Sequence, residues 1–434
     1  MPVRVNNLLN GLSKLLTRKS EACYYLSMMK TYLRKRQFEE IVKKLSRGPR
    51  FIQAIIGPRQ TGKTTLALQL KKSWKGPCIY ETADVPGAEN RNWIMELNEA
   101  AVKESNDKKK ESLLIIDEIQ KIPGWSDALK YVYDKNERNR VRVRIIILGS
   151  SALLMQRGLT ESLAGRFEVN RHSHWSFEEC RDFYKFNLND YIYYGGYPGA
   201  AKIRKDAKRW QAYIKDSIIE TVIAKDVLLM NPVTKPALLR QAFALCLHHP
   251  AEIFSYQKML GQLQDAGNTT TIAFYLRLMA NAFFLVPVEK YSGNRVKQKG
   301  SSPKVISLDN SIINVVNNRN YGEVMRDLAY KGRLFENAVG SRLYWLAQEE
   351  GWEIFYWRER DFEVDYVLSK GDKIVAVEVK SGYPGKAQSA LDVFARKYKN
   401  VKKIVISFIK NDDLKNVKNI KAEEFFLNPK EILI

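Results

Sequence analysis

The fold is decided by residues 51–65, FIQAIIGPRQTGKTT, where an apolar strand leads into a glycine-bounded loop and the start of a helix. The loop has the spacing G-x-x-x-x-G-K-T, in which backbone N–H groups and the positive end of the next helix surround nucleotide phosphates. Lys63 is expected to reach the terminal phosphates, and the Thr64 hydroxyl to ligate Mg²⁺. The candidate nucleotide-binding residues are Gly57, Pro58, Arg59, Gln60, Thr61, Gly62, Lys63, Thr64 and Thr65. The alternative, a chance match in a Gly/Thr-rich turn, is disfavoured by a second motif downstream.

That second motif is a strand that ends in paired acids. Residues 113–116 in SLLIIDEIQ are apolar, and Asp117 and Glu118 follow directly. Asp117 is expected to hold Mg²⁺, and Glu118 to polarise the attacking water as a general base. Alone, these residues would be interpreted as a strand ending in solvent. Downstream of a phosphate loop, they predict a nucleoside-triphosphatase site.

A third apolar strand, VRVRIIILGSS at 141–151, ends in small polar residues. Ser150 or Ser151 is expected to lie between the acids and the γ-phosphate. Arg166, in SLAGR, is predicted to neutralise charge on the transferred phosphoryl group, in its own or a neighbouring subunit. An ordinary surface arginine is the alternative interpretation.

Four of these segments together, GPRQTGKTT, LLIIDEIQ, ILGSSALL and SLAGR, resemble prokaryotic AAA-type ATPases that are fused to a C-terminal region of unknown function. WSFEEC at 175–180 and YYGGYPGA at 193–200 also resemble that family. The resemblance extends from about Tyr32 onward and is most specific in the ATPase core. It implies a parallel sheet in which the loop strand neighbours the strand of residues 145–148. It also favours a functional Arg166 over a surface one.

The charge balance predicts a polyanionic partner. The chain has 71 Lys and Arg against 48 Asp and Glu, a net charge of +23, which favours nucleic acid over an inert basic surface. The four cysteines are far apart without a C-x-x-C pair, so neither a zinc site nor a disulfide framework is indicated. The opening stretch lacks a signal-peptide pattern, and no apolar run approaches the ~20 residues that span a bilayer. A cytoplasmic protein without a membrane partner is expected.

Residues 236–310 have the pattern of a winged helix. Three helical segments precede two strands that flank the turn YSGNRVKQKGSSPK. A basic wing beside a third helix predicts a duplex-DNA surface. The basic residues assigned to this wing are Lys290, Arg295, Lys297, Lys299 and Lys304. The alternative is a structural lid whose wing is merely soluble.

The C-terminal part carries a second set of chemically suggestive residues. Glu378 and Lys380 share one strand face because side chains alternate along a strand, and Asp365 and Glu336 lie on the preceding strand and the leading helix. This order resembles the PD-(D/E)XK nuclease fold, although Val364 stands where a proline precedes the first acid. The resemblance implies that Asp365, Glu378 and Glu336 bind a metal and that Lys380 is catalytic. The alternative is a half-exposed sheet on which Glu378 and Lys380 pair with their neighbours.

The sequence therefore predicts an α/β protein with a P-loop NTPase parallel sheet, a helical lid, a winged helix and a restriction-endonuclease-like C-terminal domain. The expected boundaries are 1–30 for an N-terminal extension, 31–172 for the ATPase core, 173–235 for the lid, 236–325 for the winged helix and 326–434 for the nuclease-like domain. The leading function is an ATP- and Mg²⁺-dependent enzyme that acts on duplex or branched DNA, with a nuclease module. The alternatives are a nucleotide-controlled switch that docks a protein partner, and an ATPase that binds DNA through an inactive nuclease-like fold. Homo-oligomerisation stays open.

Overall fold

The computed structural model describes the chain from Tyr32 to Ile434 with gaps. The described residues are 32–47, 50–85, 88, 90–150, 155, 158–159, 162–228, 233–263, 267–293, 302–382, 387–410 and 414–434. Every helix among them is too short or too polar to span a bilayer. The predicted N-terminal extension and the wing residues Arg295, Lys297 and Lys299 lie outside the described residues.

The N-terminal part alternates strands and helices around a parallel sheet. Its elements are α1 (Lys35–Leu45), β1 (Ile52–Ile56), α2 (Lys63–Ser73), β2 (Cys78–Thr82), α3 (Arg91–Lys108), β3 (Ser112–Asp117), a 3₁₀ turn (Ile119–Lys121), α4 (Trp125–Arg138), β4 (Val143–Gly149) and β5 (Phe167–Arg171). The strand order is β2-β3-β4-β1-β5, with all neighbours parallel. Ala54 of β1 lies opposite Ile147 of β4, so the expected pairing of these two strands is confirmed.

Helices cover both faces of this sheet. Ile55 packs with Leu66 of α2, whereas the adjacent Ala54 packs in the cluster that contains Ile94 of α3 and Leu129 of α4. This alternation follows from the two-residue period of a strand, and coverage of both faces explains why β1, β3 and β4 are buried along their whole length and mostly apolar. Because the strands are parallel, their carboxyl ends meet at one edge, where the phosphate loop and the paired acids lie.

The predicted lid is helical. It contains α5 (Phe177–Tyr184), α6 (Leu188–Tyr194), α7 (Pro198–Ile203), α8 (Ala207–Ala212) and two π-helices, Tyr213–Glu220 and Ile223–Leu228. Capping boxes at Ser176 and Asn187 begin α5 and α6. The π-helices contribute Ile214, Ile218 and Ile223 to the large core that continues into the C-terminal part.

The next segment has the element order predicted for a winged helix. The helices α9 (Pro236–His248), α10 (Tyr256–Leu260) and α11 (Thr269–Asn281) precede an antiparallel hairpin of β6 (Leu285–Lys290) and β7 (Lys304–Ser307). Ile253 forms an isolated antiparallel bridge to Lys304. The Lys304 side chain, assigned to the DNA-facing wing, is 0 % exposed, so that assignment is wrong. It begins a fully buried strand instead of ending an exposed turn.

The hairpin is part of the C-terminal sheet. The remaining elements are α12 (Asn310–Val316), α13 (Tyr321–Arg326), α14 (Leu328–Glu350), β8 (Glu353–Glu359), β9 (Phe362–Lys370), β10 (Lys373–Lys380), α15 (Ala387–Lys397), β11 (Val401–Ser407), β12 (Lys418–Lys421), α16 (Ala422–Leu427) and a 3₁₀ turn (Pro429–Ile432). Seven strands form one sheet in the order β12-β11-β10-β9-β8-β6-β7. Since Glu289 of β6 pairs in parallel with Phe355 of β8, this sheet crosses the boundary expected at residue 325.

Strand β10, which lies between β11 and β9, is buried on both faces. Val375 and Val377 pack in the core that includes Leu343 of α14, whereas Ala376 packs with Leu391 of α15. Charged groups at the end of such a strand are removed from water, so they need partners of opposite charge.

Candidate functional site

The phosphate loop joins β1 to the first residue of α2, Lys63. Glycine is required at both of its ends. A Cβ atom at Gly57 would lie 1.9 Å from the carbonyl oxygen of His172, and Gly62 has a φ of +102°, which other residues rarely adopt. The loop therefore packs directly against the end of β5, with the N-terminus of α2 directed at it.

Lys63 is buried beneath the loop. Its ammonium group donates to the carbonyl oxygens of Gly57 (2.9 Å) and Pro58 (2.6 Å). Burial lowers the pKa of Lys63 to about 8, although the charges of Glu118 and Asp117 oppose that shift. A phosphate group in the loop would give this ammonium a charged partner in place of neutral carbonyls.

Thr64 and Asp117 form the predicted magnesium-binding pair. The Thr64 hydroxyl donates to Asp117 Oδ2 at 2.7 Å, and the Tyr80 hydroxyl donates to the same oxygen at 3.0 Å. The backbone N–H of Glu118 donates to Asp117 Oδ1 at 2.9 Å. Hydroxyl and carboxylate oxygens are the ligands that Mg²⁺ prefers, so this donor set fits the ion.

Glu118 is held in a strained conformation at the end of β3. Its φ is +53°, which is uncommon for a residue with a side chain and is concentrated at functional sites. Its Oε2 accepts hydrogen bonds from Ser150 Oγ (3.0 Å) and Gln120 Nε2 (2.6 Å). Ser150 thus lies beside Glu118, and its place between the acids and the γ-phosphate stays a prediction. Ser151 is outside the described residues. Gln120, which the sequence argument missed, also orients Glu118.

A cavity of about 490 Å³ opens beside the loop, and aromatic rings form part of its lining. The ring of Tyr32 lies 5.1 Å from that of Trp175 and 5.5 Å from that of Phe183, and Tyr184 stands 4.9 Å from Phe183. Trp175 Nε1 donates to the carbonyl of Thr61 at 3.1 Å, which ties this aromatic group to the loop. Sequence reasoning missed the group because Tyr32 is distant in the chain and no spacing motif links it to Trp175.

Arg34 fixes the segment that carries Tyr32. Its guanidinium group donates to both carboxylate oxygens of Glu179 (2.7 and 2.8 Å) and lies 2.9 Å from His172 Nε2. The side chain is 4 % exposed. This arginine lines the cavity but its guanidinium is committed to structural contacts.

The middle of the phosphate loop faces the lid. Arg59 pairs with Asp226 of the second π-helix, and Gln60 contacts the Tyr213 hydroxyl and the carbonyl of Ser217 in the first. Thr61 Oγ1 instead donates to the carbonyl of Pro58 at 2.9 Å, within the loop. Thr65 lines the cavity from the first turn of α2.

Arg166 lies at the opposite end of the sheet from the phosphate loop, where β1 and β5 begin. Its carbonyl accepts from the N–H of Ile52, at the start of β1, whereas the phosphate loop follows the end of β1. Its guanidinium group pairs with Asp134 of α4 at 2.8 and 3.1 Å, and these hydrogen bonds raise the pKa of Arg166. The expectation that Arg166 lies near the γ-phosphate of its own chain is therefore wrong. Its action on a neighbouring copy stays a prediction.

In the C-terminal sheet, three of the predicted residues come together. Lys380 Nζ lies 2.7 Å from Glu378 Oε2 and 3.9 Å from Asp365 Oδ2, and Asp365 also accepts from the N–H of Val379 at 2.8 Å. Burial opposes ionisation of Asp365, but the charges of Lys304 and Lys380 lower its pKa. Burial and the Asp365 charge raise the pKa of Glu378 well above its usual range.

Lys304 lies among these carboxylates. We call the four acids Glu336, Glu363, Asp365 and Glu378 the acid cluster. The Lys304 ammonium lies 2.6 Å from Glu336, 3.2 Å from Glu363 and 3.5 Å from Asp365. Burial raises the pKa of Glu336 to about 7, and Asp365 adds to that shift. Glu336, expected as a metal ligand, is instead the partner of a buried lysine. Among the residues that the structure describes, no group of three or more His, Cys, Asp or Glu side chains is arranged to hold a metal ion. Metal binding by Asp365 and Glu378 stays a prediction.

Family models match three consecutive parts of the chain. Residues 49–181 match a model described as an AAA domain, and residues 185–322 and 331–424 match two models described as domains of unknown function. The first match contains the phosphate loop, the paired acids and Ser150. The chain therefore contains an AAA-type P-loop domain, followed by two regions whose family descriptions state no function.

Curated relatives match about three quarters of this chain, and each is named only as an uncharacterized protein. A protein from Mycobacterium tuberculosis and one from Mycobacterium bovis are each 26 % identical over 339 residues, covering 77 % of this chain and 71 % of the relative. A protein from Methanocaldococcus jannaschii is 24 % identical over 343 residues, covering 74 % and 72 %.

Solved structures with a distant likeness include RuvB from Thermotoga maritima, a Holliday junction branch migration motor. It is 14 % identical, with a TM-score of 0.33, and covers 58 % of this chain and 88 % of that one. ORC1 from Aeropyrum pernix, solved with DNA, is 13 % identical with a TM-score of 0.28, covering 68 % and 94 %. AMPPCP-bound DnaA from Aquifex aeolicus is 18 % identical with a TM-score of 0.28, covering 58 % and 89 %. Likenesses this distant say nothing about the ligands of this chain.

Proposed function

We propose that this chain is an ATP-hydrolysing AAA-type enzyme that acts on DNA. The observation that carries the proposal is that Lys63, Thr64 and Glu118 line one cavity, with Asp117 hydrogen-bonded to both Thr64 and Glu118. A lysine that lacks an anionic hydrogen-bond partner, beside an oxygen pair suited to Mg²⁺ and an oriented carboxylate, is the set that phosphoryl transfer needs.

Each of these residues has a separate role in the proposed reaction. Lys63 binds the terminal phosphates, and Thr64 and Asp117 would hold Mg²⁺, whose charge offsets that of the β- and γ-phosphates. Glu118 accepts a hydrogen bond from the attacking water and withdraws proton density from it. Ser150 Oγ, 3.0 Å from Glu118, orients that carboxylate. These residues therefore bind, polarise and position without forming a covalent intermediate.

The aromatic side chains that line the cavity provide a binding site for the nucleotide base. Tyr32, Trp175 and Phe183 line the cavity as one group of packed rings. Stacking on aromatic rings suits any base, so this feature supports a nucleotide ligand without selecting adenine. ATP is the triphosphate that we propose.

DNA is the partner favoured by charge. The net charge of +23 and the helix and hairpin order of residues 236–307 support a surface for duplex or branched DNA. Because Lys304 is buried, the wing charges left to contact phosphates are Arg295, Lys297 and Lys299, together with Lys290.

Salt dependence of DNA binding tests this part of the proposal. Log Kd should rise by roughly 0.9 per phosphate contact for each log unit of salt. Neutralising Arg295, Lys297 and Lys299 together should flatten that slope, whereas neutralising the exposed Lys103, Lys108 and Lys110 should not. Equal slopes for both triple variants would place the DNA surface elsewhere.

Metal-dependent DNA cleavage is a second candidate function, supported by the meeting of Asp365, Glu378 and Lys380 on two neighbouring strands. Burial and the charge of Asp365 raise the pKa of Glu378 and so favour its protonated form. Because a carboxylate must be deprotonated to bind a metal, a divalent ion there would displace that proton. Asp365 and Glu378 would hold the ion, which would activate water and neutralise the scissile phosphate.

Incubation of linear, branched and single-stranded DNA with Mg²⁺ or Mn²⁺ decides between the candidates. Cleavage should disappear in Asp365→Ala and in Lys380→Ala while ATP turnover persists. If the wild-type protein leaves every form of DNA intact, with and without ATP, the C-terminal fold serves docking, and a nucleotide-controlled switch becomes the better account.

A further inference from the structure

The Arg59 side chain has no role in the proposed reaction so far. Arg59 lies in the phosphate loop, and its guanidinium group forms two bonds to Asp226, at 2.5 Å (Nε to Oδ2) and 2.6 Å (Nη2 to Oδ1). The side chain of Asp226 is 3 % exposed and that of Arg59 is 19 % exposed. A two-point arginine–carboxylate pair of this kind is strong and directional.

Arg59 also faces the place where the triphosphate would lie. It lines the same cavity as Lys63 and Glu118, and the charge of Glu118 acts on it. Two arginines line this cavity in the described chain, and Arg34 is committed to Glu179 and His172. Arg166 is at the end of the sheet opposite the phosphate loop. Arg59 is therefore the arginine best placed to reach a γ-phosphate within its own chain.

The lid segment that holds Arg59 has an unusual conformation. Asp226 lies in the π-helix Ile223–Leu228, which closely follows the π-helix Tyr213–Glu220. Gln60, next to Arg59, contacts Tyr213 and donates to the Ser217 carbonyl at 3.2 Å. π-Helical turns are rare and are frequently found at functional sites. Two adjacent loop residues are thus tied to two adjacent π-helices.

A triphosphate would compete with Asp226 for Arg59. The γ-phosphate offers the same paired oxygens as a carboxylate, with greater charge, and charge spreads over those oxygens during transfer. Moving Arg59 to the phosphate would leave Asp226 buried without this partner. A buried carboxylate that loses its arginine is unfavourable, so the lid segment would shift to hydrate it.

We propose that Arg59 contacts the γ-phosphate of ATP in its own chain, and that Asp226 holds Arg59 when the site is empty, so that ATP releases the π-helical lid segment. This inference rests on the proposed ATP hydrolysis. Arg59 is then a catalytic residue. Asp226 is a positioning residue, and because it lies in the lid, loss of its pair with Arg59 on ATP binding changes the lid conformation.

The first test is the turnover of full-length Arg59→Ala. Arginines that neutralise a transferred phosphoryl group contribute on the order of 10³-fold or more, so kcat should fall by about that factor while ADP affinity changes little. Arg240→Ala is the matched control, because Arg240 pairs with Glu220 of the first π-helix at 2.7 Å but does not line the cavity. It should keep wild-type turnover.

The second readout is amide hydrogen exchange of residues 213–228. In the wild-type protein, a non-hydrolysable ATP analogue should speed exchange there and ADP should not. In Asp226→Asn, which weakens the hold on Arg59, exchange should be fast without nucleotide, and the analogue should add little.

Wild-type turnover in Arg59→Ala, or exchange that is equal with the analogue and with ADP, would overturn this inference while leaving the ATPase proposal intact. A wild-type protein that hydrolyses no ATP would overturn the ATPase proposal, and this inference with it.

Discussion

The phosphate-loop site and the C-terminal acid cluster both gather acids and lysines at the ends of buried strands, but they satisfy those charges differently. Lys63 is held by two backbone carbonyls, and Asp117 and Glu118 accept from neutral donors such as Thr64 and Ser150. In the acid cluster, ammonium groups already contact the carboxylates. The first site thus keeps its charges available for an ionic ligand, whereas the second largely neutralises its own. Residue identity alone does not distinguish the two cases.

The largest effect is expected at the general base. Glu118→Gln should keep ATP binding and lower turnover by roughly 10²- to 10⁴-fold, because a glutamine cannot accept the proton of the attacking water. The control is Glu137→Gln, on the exposed part of α4. Phosphate release and nucleotide binding are measured side by side, and full turnover in Glu118→Gln would remove Glu118 from the mechanism.

The two buried lysines should respond in opposite directions to loss of charge. Lys304→Met leaves Glu336 and Asp365 facing each other without their shared cation, which should cost about 3–5 kcal/mol in unfolding free energy. Lys63→Met removes a charge whose burial is unfavourable, as its lowered pKa indicates, so stability should be equal or greater.

Urea unfolding at neutral pH measures both variants, with the exposed Lys373→Met as the control. A destabilised Lys63→Met together with an unaffected Lys304→Met would reverse the comparison between the two sites.

A smaller effect is expected at Asp309. Like the acids of the phosphate-loop site, this buried acid accepts hydrogen bonds from neutral donors. It accepts from the N–H of Gly196 at 2.6 Å and of Ser311 at 3.0 Å, yet burial raises its pKa to about 6. An acid whose pKa is raised by folding stabilises the protein at low pH, and that contribution is lost as pH rises from about 4 to about 6.

The stability of the wild-type protein relative to Asp309→Asn should therefore fall by about 1 kcal/mol between pH 5 and pH 7. Denaturant titrations of both proteins at the two pH values provide the measurement. A difference that is independent of pH would show that Asp309 has the same pKa folded and unfolded.

The smallest effect is expected for Arg166→Ala. Its side chain is partly exposed and pairs with Asp134 at the end of the sheet away from the loop, so the unfolding midpoint and the turnover of its own chain should change little. A loss of turnover that is partly restored by mixing Arg166→Ala with Lys63→Ala subunits would contradict this expectation and assign Arg166 to a neighbouring copy.

The parts of the molecule that the sequence predicted well depend on local chemistry. The glycine spacing around Lys63 and the apolar strand before Asp117 each specify a conformation within a few residues, so the parallel sheet and the phosphate loop follow. The helical lid and the order of the C-terminal strands follow from periodicity in the same way.

The parts that the sequence did not predict depend on contacts between distant segments. Lys304 looked like the end of a basic turn, but KVIS is a buried strand and its lysine meets acids from α14 and β9. The pairing of β6 with β8 and the meeting of Tyr32 with Trp175 likewise leave no trace in local spacing. The motif around Arg166 does not specify where β5 begins. It therefore could not predict that Arg166 directly precedes β5, at the end of the sheet opposite the phosphate loop.

The central claim is that the cavity beside Lys63 hydrolyses ATP. The most direct measurement is the release of inorganic phosphate from ATP and Mg²⁺ by the purified full-length protein, with Lys63→Ala prepared in parallel. We expect steady turnover by the wild-type protein and its loss in Lys63→Ala, because the buried ammonium that binds the terminal phosphates is gone. The absence of phosphate release from the wild-type protein, or equal rates in both proteins, would contradict the claim.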